Sequence, residues 1–288
     1  MGFCSHDPKR AGLVNPLAAE ASRWFMESYG MPATFFTDVL SKPWFRPIVN
    51  AFERSTIPGI LLHYLVRKRY LEETARKFLG QGIRQVVILG AGFDVLAVYL
   101  HSIFPEVTFF EVDYPATQSA KEKVIARKSL AKGNLIFVPV DLTKGTWAES
   151  LLSSSRYQPD QNTLFISEGV LMYLSQADVD KLFAFINEHA GTRSVFAFTF
   201  MEPRSDGKVN FRNRSKIVDF WMHLRGEPFT WGIPREKLPG YLRSVGFSQE
   251  DLATPDIFRE RYLNDESWAQ EPLAEGEYVC VAKRMPSR

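Results

Sequence analysis

The sequence predicts an α/β fold, a mostly parallel sheet wound with helices on both faces. Three observations carry that prediction. Short apolar runs alternate with longer amphipathic stretches from about residue 60 to residue 201, and this alternation of strand and helix gives a parallel sheet. The run Val86, Val87, Ile88, Leu89 is apolar at every position, as a fully buried strand is. It passes straight into Gly90, Ala91 and Gly92, and a second run from Val107 ends in acid at Asp113.

Each element follows from the local pattern. Residues 1–60 are broken by Pro16, Pro32, Pro43, Pro47 and Pro58, so short helical pieces are expected there, outside the sheet and capping it. Residues 60–79 repeat Leu61, Leu62, Leu65, Leu71, Ala75 and Phe78 at helical spacing and stop at Gly80. A strand follows at 85–89, a short helix at 96–103 before Pro105, and a strand at 107–112. Residues 116–131 read as a charged helix with Lys121, Glu122, Lys123, Arg127 and Lys128 on its wet sides. Strands at 135–140 and 164–167, a helix at 176–190 and a strand at 195–201 continue the alternation. The tail reads as a helix at 234–245, a weak strand near 248–253 and a last strand at 278–282. Four segments are expected: a cap at 1–80, a core at 81–201, a cap insertion at 202–233 and a completion of the sheet at 234–288.

Composition excludes several classes. Apolar residues make up 45% of the 288 and aromatics 14%, enough for a large core. A net charge of +2 suggests neither nucleic acid nor an anionic membrane as partner. No apolar run reaches the roughly 20 residues of a membrane span, and the N-terminus lacks the apolar core of a signal peptide. Cys4 and Cys280 are far apart, which fits a reducing compartment, so a cytoplasmic location is expected. The five histidines contain no pair at i, i+4, and no metal site is expected.

The glycine turn carries the chemistry. Glycines let the backbone turn sharply and let a ligand approach main-chain atoms. A carboxylate at the tip of the next strand, here Asp113, twenty-one positions beyond Gly92, is how such sheets hold a cofactor's ribose. A dinucleotide site wants a third glycine where Val95 stands, and Asp94 would repel a pyrophosphate. A nicotinamide or flavin dinucleotide is therefore disfavoured. S-adenosylmethionine, which has a ribose and a cationic methionine end but no phosphate, fits. The bland alternative is an ordinary strand-to-helix turn.

Four blocks carry a family resemblance. They are 67–72 (Arg67 to Glu72), 90–94 (Gly90 to Asp94), 111–115 followed by Lys121, and 167–174 (Ser167 to Leu174). In this order the chain resembles the leucine carboxyl methyltransferase family of class I S-adenosylmethionine-dependent methyltransferases, over about residues 60–200. The resemblance implies a Rossmann-like core with an antiparallel edge hairpin and a helical cap. Bacterial members usually place threonine and arginine after the aspartate of the turn, and a further arginine three residues on, where this chain has Val95, Leu96 and Tyr99.

The resemblance also implies roles. Arg67 would face the carboxylate of the cofactor's methionine end, although Arg67, Lys68 and Arg69 alone would read as a solvated charge run. Gly90, Ala91, Gly92 and Asp94 would form the turn, with Asp113 on the ribose. Glu111, on the same face of its strand as Asp113, would contact the cofactor loosely or stand at a solvated strand end. Asp141 and Leu142 would flank the adenine, and Asp141 as a helix cap is the alternative. Glu168 would take the methionine ammonium. Tyr173 is a weak catalytic candidate, equally readable as a packed tyrosine. Arg204, Arg212, Arg214 and Arg225, with Phe211, Phe220, Trp221, Phe229 and Trp231, are candidates to surround an acceptor.

The expected function is methyl transfer to a carboxylate or phenolic oxygen of a small molecule or a protein C-terminus. A carboxylate acceptor is already anionic at neutral pH, so no general base is required. The alternative is a protein that binds S-adenosylmethionine without transferring the methyl group, as a sensor or degenerate enzyme.

Overall fold

The computed structural model describes residues 10, 12–28, 46–144, 146–213 and 229–286. Seven strands form one sheet: β1 (Gln85–Leu89), β2 (Thr108–Asp113), β3 (Leu135–Pro139), β4 (Thr163–Ser167), β5 (Val195–Met201), β6 (Phe247–Ala253) and β7 (Glu277–Arg284). Their order is β3-β2-β1-β4-β5-β7-β6. The pairs from β3 to β5 are parallel, and β7 runs antiparallel between β5 and β6. The hairpin expected at the edge is present, but its second strand turns inward beside β5, which leaves β6 on the edge.

The helices are α1 (Pro16–Ser28), α2 (Arg46–Ser55), α3 (Ile60–Gly80), α4 (Leu96–Ile103), α5 (Pro115–Arg127), α6 (Trp147–Leu152), α7 (Gln176–Glu188), α8 (Leu238–Ser244) and α9 (Pro255–Tyr262). Alternate residues of β1 point to opposite faces. Val86 and Ile88 pack with α1, α3, α4, α5 and α9. Val87 and Leu89 pack with α6, α7 and α8. Both faces of the sheet are covered, so its inner strands carry no polar alternation.

Three sequence expectations shift. The helix expected at 116–131 ends at Arg127, and Ser129 follows in the left-handed region at φ 54°. Lys121, expected on a wet side of that helix, is fully buried because its ammonium meets Glu111 at 2.6 Å. The helix expected from residue 234 begins at Leu238. Helix α9 had a legible signal: Thr254 accepts the Ile257 N–H at 3.3 Å, with Pro255 opening the first turn.

The topology positions the site. The winding reverses between β1 and β4, and the carboxyl ends of these strands bracket a crevice where open α/β sheets bind ligands. Among the described residues, no helix is long and apolar enough to cross a membrane.

Candidate cofactor site

The turn after β1 is built by its glycines. Gly90 sits at φ 69° and Gly92 at φ 49°, in the left-handed region that other residues enter at a cost. The Gly90 N–H donates to the Val112 carbonyl at 2.8 Å, tying the turn to β2. A Cβ on Gly90 would collide with Val170, so the loop after β4 crosses directly over this backbone. A Cβ on Gly92 would meet nothing within 4 Å. Gly90, Ala91, Gly92, Asp94 and Glu168 all border a cavity of 570 Å³ over the turn. Helix α1 closes its far side with Ala18, Ser22 and Phe25, and Phe25 contacts Phe93 with ring centroids 4.8 Å apart.

A charge network meets this cavity at Lys68, Asp94 and Glu168 and continues behind it. On α3, His63 and Arg67 lie one turn apart on the same face and both reach Glu277, the first residue of β7. Arg67 Nη1 donates to Glu277 Oε2 at 2.5 Å, and His63 Nε2 stands 3.1 Å from the same oxygen. Arg67 Nε and Nη2 approach Glu168 Oε1 at 2.9 and 2.8 Å. Lys68 Nζ donates to Glu168 Oε2 at 2.9 Å and to Asp94 Oδ2. Asp94 also accepts the Leu96 N–H at 2.6 Å at the start of α4. The Tyr64 ring lies 4.2 Å from the Arg67 guanidinium carbon.

These partners decide the protonation states. Burial opposes charge on Glu277, but Arg67 and His63 outweigh it and hold the carboxyl down at about 2. Burial likewise opposes charge on Asp94, yet the Lys68 ammonium keeps its carboxyl below the usual range. Arg67 and Lys68 are raised by their carboxylate neighbours despite burial.

The tip of β2 lies beside the glycine turn, to which the Val112 carbonyl ties it. Asp113 Oδ1 accepts the Tyr114 N–H at 2.7 Å, while Oδ2 is buried without a hydrogen-bond partner. Burial pushes this carboxyl up, against the pull of the Tyr114 and Gly92 amides and Lys121. Glu111 lies out of solvent with Lys121 2.6 Å from its Oε2. That contact is an ion pair without a hydrogen bond of ordinary geometry, and neither Glu111 oxygen has another partner. Burial raises the Glu111 carboxyl to about 7, with Lys121 pulling the other way.

The structure thus brings Arg67, Gly90, Ala91, Gly92, Asp94, Glu111, Asp113 and Glu168 to the carboxyl ends of β1, β2 and β4. Asp141 Oδ1 accepts the Thr143 N–H at 3.0 Å and the Thr143 hydroxyl at 2.7 Å within a turn, and it is not the helix cap weighed as its alternative, since the next helix begins at Trp147. Leu142 packs half-buried on the core. Tyr173 is exposed and meets Phe229 edge to face at 5.2 Å. Arg212 pairs with Glu202 at 2.5 Å and Arg204 with Asp206 at 3.8 Å. Phe211 and Trp231 are buried in packing. Arg214, Phe220, Trp221 and Arg225 lie outside the described residues.

Sequence reasoning passed over Lys68 and Glu277. Lys68 sits inside a charge run that reads as solvated, though the spacing of His63, Tyr64, Arg67 and Lys68 on one helical face was available. Glu277 lies 210 positions from Arg67 in the chain, and no local pattern marks it. Among the described residues no group of three or more His, Cys, Asp or Glu is placed to hold a metal.

Comparison with known proteins agrees with this fold. The family described as leucine carboxyl methyltransferase matches residues 12–187. A Bacillus subtilis protein, YktD, named as an S-adenosyl-L-methionine-dependent methyltransferase, is 26% identical over 221 residues, 76% of this chain and 72% of that one. A Frankia alni protein named in the same way is 30% identical over 257 residues, 85% of this chain and 88% of that one. A Streptomyces coelicolor relative is 35% identical over 143 residues, so this chain spans 49% of its length. The crystal structure of a Thermobifida fusca protein described as a methyltransferase aligns with a TM-score of 0.59 at 15% identity, over 92% of this chain and 94% of that one, a likeness of fold. With the family matched over residues 12–187 of 288, the chain belongs to the leucine carboxyl methyltransferase family.

Proposed function

We propose that this chain is an S-adenosylmethionine-dependent O-methyltransferase acting on a carboxylate or phenolic oxygen of a small molecule or peptide, in the cytoplasm. Residues 1–80 and 202–233 serve as its cap, and 81–201 with 234–288 as its core. The observation that carries the reading is Asp113 Oδ2, a buried carboxylate oxygen without a partner, beside a glycine turn at the switch point of the sheet. It suits a ribose hydroxyl donor.

The remaining residues fit the same compound. Arg67 and Glu168 offer opposite charges to a zwitterionic methionine end, and Gly92 leaves its backbone open to the cavity. Asp141 and Leu142 are assigned to the adenine, which requires Asp141 to share or release Thr143. Asp94, ionised beside Lys68, makes the turn a poor seat for a pyrophosphate. When bound, the cofactor supplies a methyl group on a sulfonium that leaves as a neutral thioether.

The protein's share is alignment and exclusion of water. Orientation of this kind is worth ~7–11 kcal/mol in favourable cases. The cavity's charged lining consists of Lys68, Asp94 and Glu168, already paired with one another, with no histidine among the lining residues. A site without a spare base favours an acceptor that arrives anionic, which a carboxylate does at neutral pH. Tyr173, exposed near the turn after β4, is the one hydroxyl assigned to the acceptor side.

Calorimetry with S-adenosylhomocysteine tests the site. Asp113→Asn and Arg67→Ala are each expected to weaken binding by about tenfold or more, the scale of one lost charge-assisted hydrogen bond. Transfer of a radiolabelled methyl group to a panel of acids and phenols tests the reaction. Binding of NAD in preference to the adenosyl compound would overturn the cofactor. Binding without transfer to any oxygen acceptor would favour the non-catalytic alternative.

A further inference from the structure

Another cavity opens at the opposite end of the sheet from the glycine turn. It measures 270 Å³ and lies where β1, β4 and β5 begin and β7 ends. Arg193, Lys283 and Arg284 line it, with no acidic side chain among the lining residues. Its apolar wall is Phe78, Ile83 and Val195, all buried.

The geometry points to a second binding site, for a small phosphomonoester: the phosphoryl group would sit on Arg193 and Lys283, and a short carbon stem would lie against Phe78. The site is separate from the cofactor crevice and does not depend on what that crevice holds.

The fold leaves these two cations available. Arg193 uses only its backbone N–H, which donates to Asn162 Oδ1 at 3.0 Å, and its side chain has no hydrogen bond or ion pair among the described residues. Lys283 Nζ stands 2.9 Å from Glu250 Oε1, an acid outside the cavity lining that Lys77 also approaches at 3.9 Å. Lys77 can keep Glu250 when Lys283 turns to a ligand. Neither cation is needed to cap α3. The Phe78 carbonyl accepts the Ile83 N–H at 3.2 Å, and the Leu79 carbonyl accepts the Gly82 N–H at 3.1 Å and Arg84 Nη1 at 3.0 Å. Arg284 differs, since its Nη1 donates to the Ala190 carbonyl just beyond α7.

The loop that carries Arg193 is held in place before any ligand arrives. The Ser194 N–H donates to the Gly191 carbonyl at 3.0 Å, and the Ser194 hydroxyl accepts the Thr163 N–H at 2.9 Å. A Cβ on Gly191 would collide with Asn162, so the two loops pack backbone against side chain. A site ordered in advance loses less entropy on binding.

Charge and size select the ligand. A cleft lined by one sign of charge concentrates the opposite ion. A phosphomonoester carries close to two negative charges at neutral pH, which two cations match. Lys283 Nζ lies 5.7 Å from the centre of the Phe78 ring, so the charged and apolar walls adjoin. The volume falls just below the range of drug-sized pockets, which favours a short stem over a nucleotide.

Calorimetry on the full chain at constant ionic strength, with inorganic phosphate and propyl phosphate as probes, tests the site. Both are expected to bind, propyl phosphate more tightly because its stem is buried. Arg193→Gln and Lys283→Gln should each weaken propyl phosphate by about tenfold, the scale of one charge-assisted contact. Lys123→Gln removes one charge from an exposed position on α5. It should change the affinity by less than about twofold, because salt screens a distant charge. The melting temperature of ligand-free Arg193→Gln should stay at the wild-type value, since that side chain has no partner to lose. A wild-type chain that binds neither phosphate would overturn the inference. So would an Arg193→Gln variant with wild-type affinity, or a Lys123→Gln variant that loses as much as Arg193→Gln. Inorganic phosphate binding more tightly than propyl phosphate would remove the stem from the Phe78 wall.

Discussion

Glu111 and Lys121 face each other at 2.6 Å with both side chains out of solvent, one on β2 and the other on α5. The charge of Lys121 also favours the ionised forms of Asp94, whose nearer cation is Lys68, and of Asp113. It holds together strand-tip acids that would otherwise repel one another across the glycine turn.

The pair sets a pH dependence. Glu111 titrates at about 7 in the folded chain against an ordinary value of 4.5. Between these values the unfolded chain has released a proton that the folded chain retains. Folding stability from this group is therefore full below about 4.5 and declines as pH rises toward 7, by about 3 kcal/mol in all. Denaturant midpoints compared at pH 5 and pH 8 should show a smaller decline in Glu111→Gln than in wild type. Equal declines would remove Glu111 as the cause.

Glu277 carries the opposite sign. Its carboxyl is held at about 2 against an ordinary 4.5, so its contribution is present above 4.5 and is lost as pH falls toward 2. Glu277→Gln should unfold more easily at neutral pH, by about 3 kcal/mol, because buried Arg67 then loses one of its two carboxylate partners. Its acid denaturation should also be flatter between pH 4.5 and pH 2. Urea midpoints at pH 7 and an acid titration followed by circular dichroism measure both effects.

The two glycines of the turn should respond differently to alanine. Gly90→Ala strains a left-handed backbone and drives a methyl into Val170. A loss of about 2–4 kcal/mol is expected, as strain and overpacking add. Gly92→Ala meets no neighbour within 4 Å, so only the backbone cost of roughly 1–2 kcal/mol applies. Its methyl instead covers main chain beside the cavity, and S-adenosylhomocysteine affinity should fall more than thermal stability does. Melting temperature and calorimetry on the two variants check the contrast.

The fold was legible because local signals agreed with it. The run 86–89 is apolar throughout since both faces of β1 are buried, and Gly90 marks the crossing beneath Val170. The place of Asp113 was legible because the apolar run from Val107 ends there, at the last residue of β2. Lys121 was misjudged because a lysine in a charged helix normally faces water, and only the β2 register that turns Glu111 inward buries it. Glu277 was invisible for a different reason. It matters only through contacts to His63 and Arg67 on α3, so its role is a property of the assembled sheet.

The late arrival of Glu277 in the chain has a consequence for biosynthesis. The family match ends at residue 187, yet an anchor of Arg67 enters with β7, which is paired on both sides. While the nascent protein leaves the ribosome, the first five strands can associate as they emerge. The buried arginine gains its second counter-charge only when the final strand slides between two already made. A copy truncated after residue 276 would keep the whole family signature and still present an arginine without that partner.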